Sequence, residues 1–152
     1  LNNVLDIGDI VISNDAVEHD YDVTAMGYPK GEVLYTGLIG FPADRQLRRL
    51  AAEAVKNALQ GVKSLEGRIC TGDQFIASDS VKQRIVQEFN GDCTEMEGAA
   101  IAQCCYLNNV PFVIIRAISD KADRSSLVSY DEFEAAAARN SAAIVRYMIE
   151  HL

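Results

Sequence analysis

The sequence predicts an α/β fold of three layers, in which helices flank a mostly parallel or mixed central sheet. Short runs rich in Val and Ile alternate along the chain with segments of helical periodicity, an order typical of such sheets. The most apolar run, residues 111–120 (PFVIIRAISD), predicts the central strand, buried on both faces. Polar residues close this run and two others, and ligands bind at the carboxyl ends of strands in open α/β sheets.

The first half of the chain predicts a strand, a long connection and a helix. Residues 7–13 (IGDIVIS) predict the strand, and the mixed, polar residues 14–32 predict a connection of unusual length. Met26 and Tyr28 are large apolar side chains near the tip of that connection. Residues 44–59 then space Leu, Val and Ala as one face of a helix.

The second half continues the alternation of strands and helices. Ser78 and Asp79 are candidate caps for its first helix. In order, it predicts a strand and loop at 68–76, that helix with Val81, Ile85 and Phe89 on one face, a brief strand at 93–96, a small-residue helix at 98–107, the strand at 111–120 and an Ala-rich helix at 130–152. The sequence contains no internal repeat or low-complexity tract.

The composition argues against nucleic-acid and membrane partners. The formal net charge is −8, and no basic stripe is present to meet phosphates. No apolar run approaches the ~20 residues that span a membrane, and we recognise no signal peptide, so we expect a cytoplasmic protein. The four cysteines form no CxxC pair and lie in apolar runs, which is typical of buried residues in a reducing compartment.

A metal site is not predicted. His19 lies beside Asp20 and Asp22, but no second histidine or cysteine is near it in the sequence. We interpret His19 as a polar loop residue. We expect no metal and no cofactor.

Three clusters follow predicted strands: residues 72–76, residues 95–97 and residues 119–120. Phe75 could stack on a flat heterocycle, or it could be a core residue at a strand end. Glu97 could accept both hydroxyls of a ribose, or it could simply favour the positive end of a helix. Asp120 could be a reactive carboxyl group or a turn residue. Arg116 should point to the same side of its strand as Asp120, and a charge in an apolar strand needs a partner.

In combination these motifs are specific. EMEGAA at 95–100, VPFVIIRAISDKAD at 110–123, HDYDVTAMGY at 19–28 and GDQFI at 72–76 together resemble the nucleoside phosphorylase/hydrolase family. Within that family the chain is similar to the 5′-methylthioadenosine/S-adenosylhomocysteine nucleosidases. The resemblance runs from Ile7 to the C-terminal helix.

The resemblance implies an acid-catalysed cleavage of the N-glycosidic bond. Asp120 would protonate N7 of adenine, which makes the base a better leaving group. That role needs a carboxyl group still protonated near neutral pH, which partial burial could provide. Ser119 would orient Asp120, and Arg116 would pair with carboxylates at the site.

The resemblance also implies a set of substrate contacts. Phe75 would stack on adenine while the Ile76 main chain bonds the purine edge. Glu97 would bind the ribose 2′- and 3′-hydroxyls, with Met96 packed against the sugar; a rigid grip there favours a cation-like transition state. The remaining implied contacts are Glu95 with substrate, Tyr130 at the alkylthio end, and Met26 and Tyr28 lent across a homodimer interface to the neighbouring site.

One departure from the family pattern concerns the start of the chain. Family members begin with further strands that carry a water-activating glutamate and a Gly-rich loop near the ribose. Neither is found in residues 1–152, which would form the C-terminal two-thirds of a single nucleosidase domain. We therefore expect the chain alone to be inactive or nearly so. We also expect it to be poorly soluble, because an incomplete sheet exposes an edge.

Three other functions remain open at this point. A purine-nucleoside phosphorylase of the same fold would use the same acid with phosphate in place of water, although VTAMGY at 23–28 favours a nucleosidase. A hydrolase could act on another nucleoside, such as futalosine. A nucleoside-binding protein could keep the fold without the reaction, but Phe75, Glu97 and Asp120 argue against it, since a pure binder needs no acid.

Overall fold

A mixed sheet of five strands with helices packed on it organises the residues that the structure describes. The structure is a computed structural model, and it describes residues 1–121 and 126–152, with the backbone alone for 126–132. The strands are β1 (Ile10–Glu18), β2 (Gly40–Pro42), β3 (Ser64–Thr71), β4 (Cys93–Glu95) and β5 (Ile115–Ala117). The helices are α1 (Arg45–Ala58), α2 (Asp79–Phe89), α3 (Gly98–Leu107) and α4 (Ser126–Glu150), with a 3-10 turn at Thr24–Met26.

β1 is the strand with the most neighbours. It pairs in parallel with β3 along its whole length, antiparallel with β2 near its carboxyl end, and antiparallel with β5 at residues 10–12. β4 extends the sheet in parallel with β3. The predicted mixed sheet between helices is confirmed.

Both faces of β1 are buried, which gives the fold its three layers. Ile10 and Ile12 pack with apolar residues of α1 and α4 on one face, whereas Val11 packs with residues of α3 on the other. Ala16 joins Val11 although the two are five residues apart, because a bulge between Ser13 and Asp15 shifts the alternation of the strand.

The prediction that residues 111–120 form the central strand was wrong. They contribute only β5, whose three residues are half-buried and whose strand partner is β1. The ladder ends early because the amide of Ile114 donates to the hydroxyl of Ser13, at 2.8 Å, instead of to a carbonyl. Conversely, β1 extends to Glu18, five residues into the predicted connection, because it finds a full-length partner in β3.

The helices follow the predicted segments closely. Asp44 caps α1 by accepting a hydrogen bond from the Leu47 amide at 2.8 Å. Ser78 is the N-cap of α2, but its hydroxyl bonds the Ser80 hydroxyl rather than a helix amide. Cys104 on α3 is exposed, so the prediction that every cysteine is buried was wrong. In the described part of the chain, no helix is both long and apolar enough to cross a membrane.

Candidate active site

The parallel strands β1, β3 and β4 bring two of the three predicted clusters to one edge of the sheet. Glu18, Thr71 and Glu95 occupy matching positions at the carboxyl ends of these strands. Residues 72–76 leave this edge from β3, and residues 96–97 leave it from β4. The two predicted clusters therefore meet, as expected for the ends of parallel strands.

Glu95 is the best-bonded carboxylate at this edge. It is 8% exposed and accepts hydrogen bonds from the Thr71 hydroxyl, from the Gly98 amide at 2.8 Å and from the Glu97 amide at 3.2 Å. The amides belong to the start of α3, whose first N–H groups need acceptors. The guanidinium of Arg116 lies 3.4 Å from the same carboxylate, which offsets the cost of burying it.

Glu97 presents its carboxylate to solvent instead. Its side chain is 61% exposed, and one of its oxygens lies 3.3 Å from the Arg116 guanidinium. The expected pairing of Arg116 with carboxylates is thus present. Met96 between the two glutamates is also exposed. An exposed carboxylate oriented by a cation, with an apolar side chain beside it, can receive the hydroxyls of a small ligand.

The 72–76 loop combines one anchored and one projecting apolar residue. Ile76 is 6% exposed and packs in a cluster with Val17, Cys70 and residues of α2. Phe75 is 55% exposed, so the interpretation of Phe75 as a core residue does not hold. A ring held out from a fixed loop is suited to stacking on a flat heterocycle.

Asp120 and Ser119 follow β5, and this strand does not bring them to the carboxyl ends of β1, β3 and β4, where the sequence placed them. Because β5 is antiparallel to β1, its carboxyl end lies opposite that of β1, not beside it. The Ser119 hydroxyl donates to the half-buried Asp120 carboxylate at 2.8 Å. Lys82 of α2 donates to the Lys121 carbonyl at 2.9 Å, which ties this segment to the helix that follows the 72–76 loop.

The remaining predicted residues are on the surface or outside the described residues. Met26 is 63% exposed at the 3-10 turn, and Tyr28 beside it is half-buried. The side chain of Tyr130 lies outside the described residues. The part of the chain that the structure describes contains no group of three or more His, Cys, Asp and Glu placed to hold a metal ion.

Sequence reasoning missed two residues at the end of β1. His19 was predicted to be a polar loop residue, but it is 3% exposed, and neither ring nitrogen has a hydrogen-bond partner among the described residues. Burial lowers the pKa of its imidazole. Burial also raises the pKa of Glu18 to about 7, with further contributions from Asp20, Asp73 and Glu95. The apolar pair Ala16 and Val17, directly before these two residues, was the available signal.

We expect Glu18→Gln to flatten the pH dependence of stability. Because folding raises this pKa, the contribution of Glu18 to stability is full below the ordinary value of 4.5 and is lost as the pH rises through about 7. From pH 5 to 8 the wild type should lose about 1 kcal/mol more unfolding free energy than the variant, allowing for solvent screening of a half-exposed group. Urea denaturation at both pH values measures this difference. Glu53→Gln, on the exposed face of α1, should keep the wild-type dependence.

Comparisons with known proteins show what this chain is similar to. Among curated relatives, the 5′-methylthioadenosine/S-adenosylhomocysteine nucleosidase of Haemophilus influenzae strain PittEE is 46% identical over 149 residues, 97% of this chain and 64% of the relative. The Neisseria meningitidis nucleosidase of the same name, solved in complex with methylthio-immucillin-A, has a TM-score of 0.93 at 40% identity, covering 100% of this chain and 65% of that one. For futalosine hydrolase of Helicobacter pylori strain 26695 the TM-score is 0.90 at 34% identity, covering 98% and 63%.

This chain therefore spans 64% of the length of the Haemophilus influenzae relative. A sequence profile of the phosphorylase superfamily matches nearly the whole chain, residues 1–150. The chain belongs to the phosphorylase superfamily.

Proposed function

We propose that this chain forms the larger part of a single nucleosidase domain that hydrolyses the N-glycosidic bond of 5′-methylthioadenosine and S-adenosylhomocysteine. The products would be adenine and the 5-thioribose compound, within methionine salvage in the cytoplasm. The observation that carries the proposal is the meeting of the 72–76 loop with Glu97 and Arg116 at one edge of the sheet. The identity with nucleosidases of that specificity supports it.

Asp120 is the general acid of the proposed reaction. It donates a proton to N7 of adenine as the bond between N9 and C1′ breaks and its electron pair stays with the base, which leaves as a neutral molecule. Water then bonds C1′ and gives up a proton to the water-activating glutamate that the resemblance implies outside residues 1–152. The hydrogen bond from Ser119, at 2.8 Å, restricts the Asp120 carboxyl group to one orientation. Phe75 stacks on the adenine, and the main chain of Ile76 bonds its edge.

The ribose lies at the start of α3 in this proposal. Glu97 accepts the 2′- and 3′-hydroxyls, Met96 packs against the sugar, and Arg116 fixes Glu97 through their ion pair. Glu95, whose carboxylate is used within the protein, acts as a positioning residue for Arg116 and α3 rather than as a substrate contact.

The neighbouring subunit of a homodimer completes the site. Met26 and Tyr28 belong to a connection that projects a large apolar group into solvent, and association with a second copy would cover it. They would line the alkylthio end of the neighbouring site, and Tyr130 would line the same end from within its own chain.

The test measures adenine release from 5′-methylthioadenosine by a fusion protein, in which this chain is joined to the part of the Haemophilus influenzae relative that it does not span. We expect release in phosphate-free buffer, at a rate that added phosphate does not change. Release that requires phosphate would assign the chain to the phosphorylase branch. The similarity to futalosine hydrolase makes futalosine the second substrate to assay, and faster cleavage of futalosine would replace the proposed specificity.

A further inference from the structure

The 72–76 loop is tied to the residues that follow β1. One carboxylate oxygen of Asp20 accepts the Asp73 amide at 2.9 Å and the Gln74 side-chain amide at 3.2 Å. The His19 amide donates to the Thr71 carbonyl at 2.8 Å just before the loop begins. Asp20 itself is exposed, so it is not needed to fill the core.

The backbone at Gly72 packs closely against His19 and Asp20. A Cβ at position 72 would lie 2.5 Å from Nε2 of His19 and 2.7 Å from the Asp20 carboxylate. His19 is buried and cannot move aside. Only glycine lets the backbone of the loop come this close, and that closeness is what allows Asp20 to reach the Asp73 amide.

The two ends of the loop therefore have separate anchors. Ile76 is held by the apolar cluster against α2, and Asp73 and Gln74 are held by Asp20. Phe75 lies between the anchors with more than half of its surface exposed. Because so much of the ring is exposed, its position depends on the anchors on either side of it.

Asp20 also begins the segment that carries Met26. That segment closes on itself through a hydrogen bond from the Gly31 amide to the Tyr21 carbonyl at 3.2 Å. It is attached to α2 by the ion pair of Lys30 with Glu88 at 2.7 Å. One short stretch of chain thus contacts both the 72–76 loop and the helix that follows it.

We propose that Asp20 is a positioning residue that holds the 72–76 loop in the conformation that binds the base. The inference rests on the proposed function, since it assigns adenine to that loop. It predicts that loss of Asp20 weakens recognition of the base and leaves recognition of the ribose intact. A charged acceptor with two donors is a strong link, and its loss should be measurable in the loop itself.

The experiment compares Asp20→Ala and Asp20→Asn with the wild type. In the fusion protein, NMR amide exchange at Asp73 should be about tenfold faster in Asp20→Ala and only about threefold faster in Asp20→Asn, which keeps a neutral acceptor. In the fusion protein, the dissociation constants of adenine and of 5′-methylthioadenosine should rise by the same factor, about tenfold for Asp20→Ala.

Two controls make these results specific. Asp22→Ala removes an exposed carboxylate whose hydrogen bonds are to Thr24, and Asp73 exchange should not change. Glu97→Ala should weaken binding of the nucleoside but not of adenine.

Unchanged exchange at Asp73 in Asp20→Ala would overturn the proposal, as would faster exchange with unchanged adenine affinity. A wild-type fusion that does not bind adenine would overturn the proposed function instead, and the exchange rates would still show whether Asp20 holds the loop.

Discussion

Asp120→Asn should lower kcat for adenine release by about 10² to 10⁴-fold, the usual contribution of a general acid. The amide keeps the size of the carboxyl group and an acceptor for the Ser119 hydroxyl, which donates to Asp120 at 2.8 Å. It cannot supply a proton to N7 of the leaving base. Adenine affinity should therefore stay within about threefold of the wild-type value, because the change removes chemistry and not a binding surface. Initial rates and adenine titrations of the fusion protein give the two numbers.

Asp79→Asn is the matched control for this variant. It makes the same substitution at an exposed aspartate, at the start of α2, and it should leave kcat unchanged. Equal losses of kcat and adenine affinity in Asp120→Asn would show that Asp120 acts in binding or folding. The assignment of Asp120 as general acid would then be wrong.

Glu95→Ala should lower the free energy of unfolding by about 3 kcal/mol, the loss expected when one partner of a buried charge pair is removed. The substitution leaves the Gly98 amide and the Thr71 hydroxyl without their acceptor inside the protein, and it leaves Arg116 without its buried partner. Urea denaturation of the fusion protein measures the change from the shift in midpoint at constant slope.

Glu97→Ala tests whether the burial of Glu95 is the reason for the large expected loss of unfolding free energy. Glu97 pairs with the same Arg116 guanidinium at nearly the same distance, 3.3 Å, but its side chain is 61% exposed. An exposed ion pair contributes about 0 to 1 kcal/mol, so the stability of this variant should hardly change. If the two variants lost the same amount of stability, Glu95 would not have the special structural role that its contacts indicate.

Helices were the elements that the sequence predicted best, because their signals are local. The predicted helix at 98–107 has the same bounds as α3. The predicted helix at 44–59 differs from α1 by one residue at each end, since Asp44 is a side-chain cap that can be recognised from its own segment. Both the apolar spacing and the cap lie within a single stretch of chain.

Strand pairing was predicted less well, because it depends on distant residues. Nothing within residues 111–120 shows that a bulge in β1 will divert Ile114 to the Ser13 hydroxyl, or that β5 will run antiparallel to β1. Likewise, Glu18 lies at a strand end and His19 is buried beside it because β1 pairs with β3 as far as Glu18. The residue types of the candidate site and the two strand ends that carry them could be predicted from the sequence. The geometry of the ion pairs between Arg116 and the two glutamates could be obtained only from the structure.

The pairing of β1 with β5 also has a consequence for the order of events during synthesis. Residues 10–12 leave the ribosome before their partners in β5, which are made about 100 residues later. At about 5–20 residues per second, this edge of β1 stays unpaired for roughly 5 to 20 s, and pairing across so long a separation is slow to nucleate. Asp120, the proposed general acid, follows β5 directly and takes its position only after that pairing.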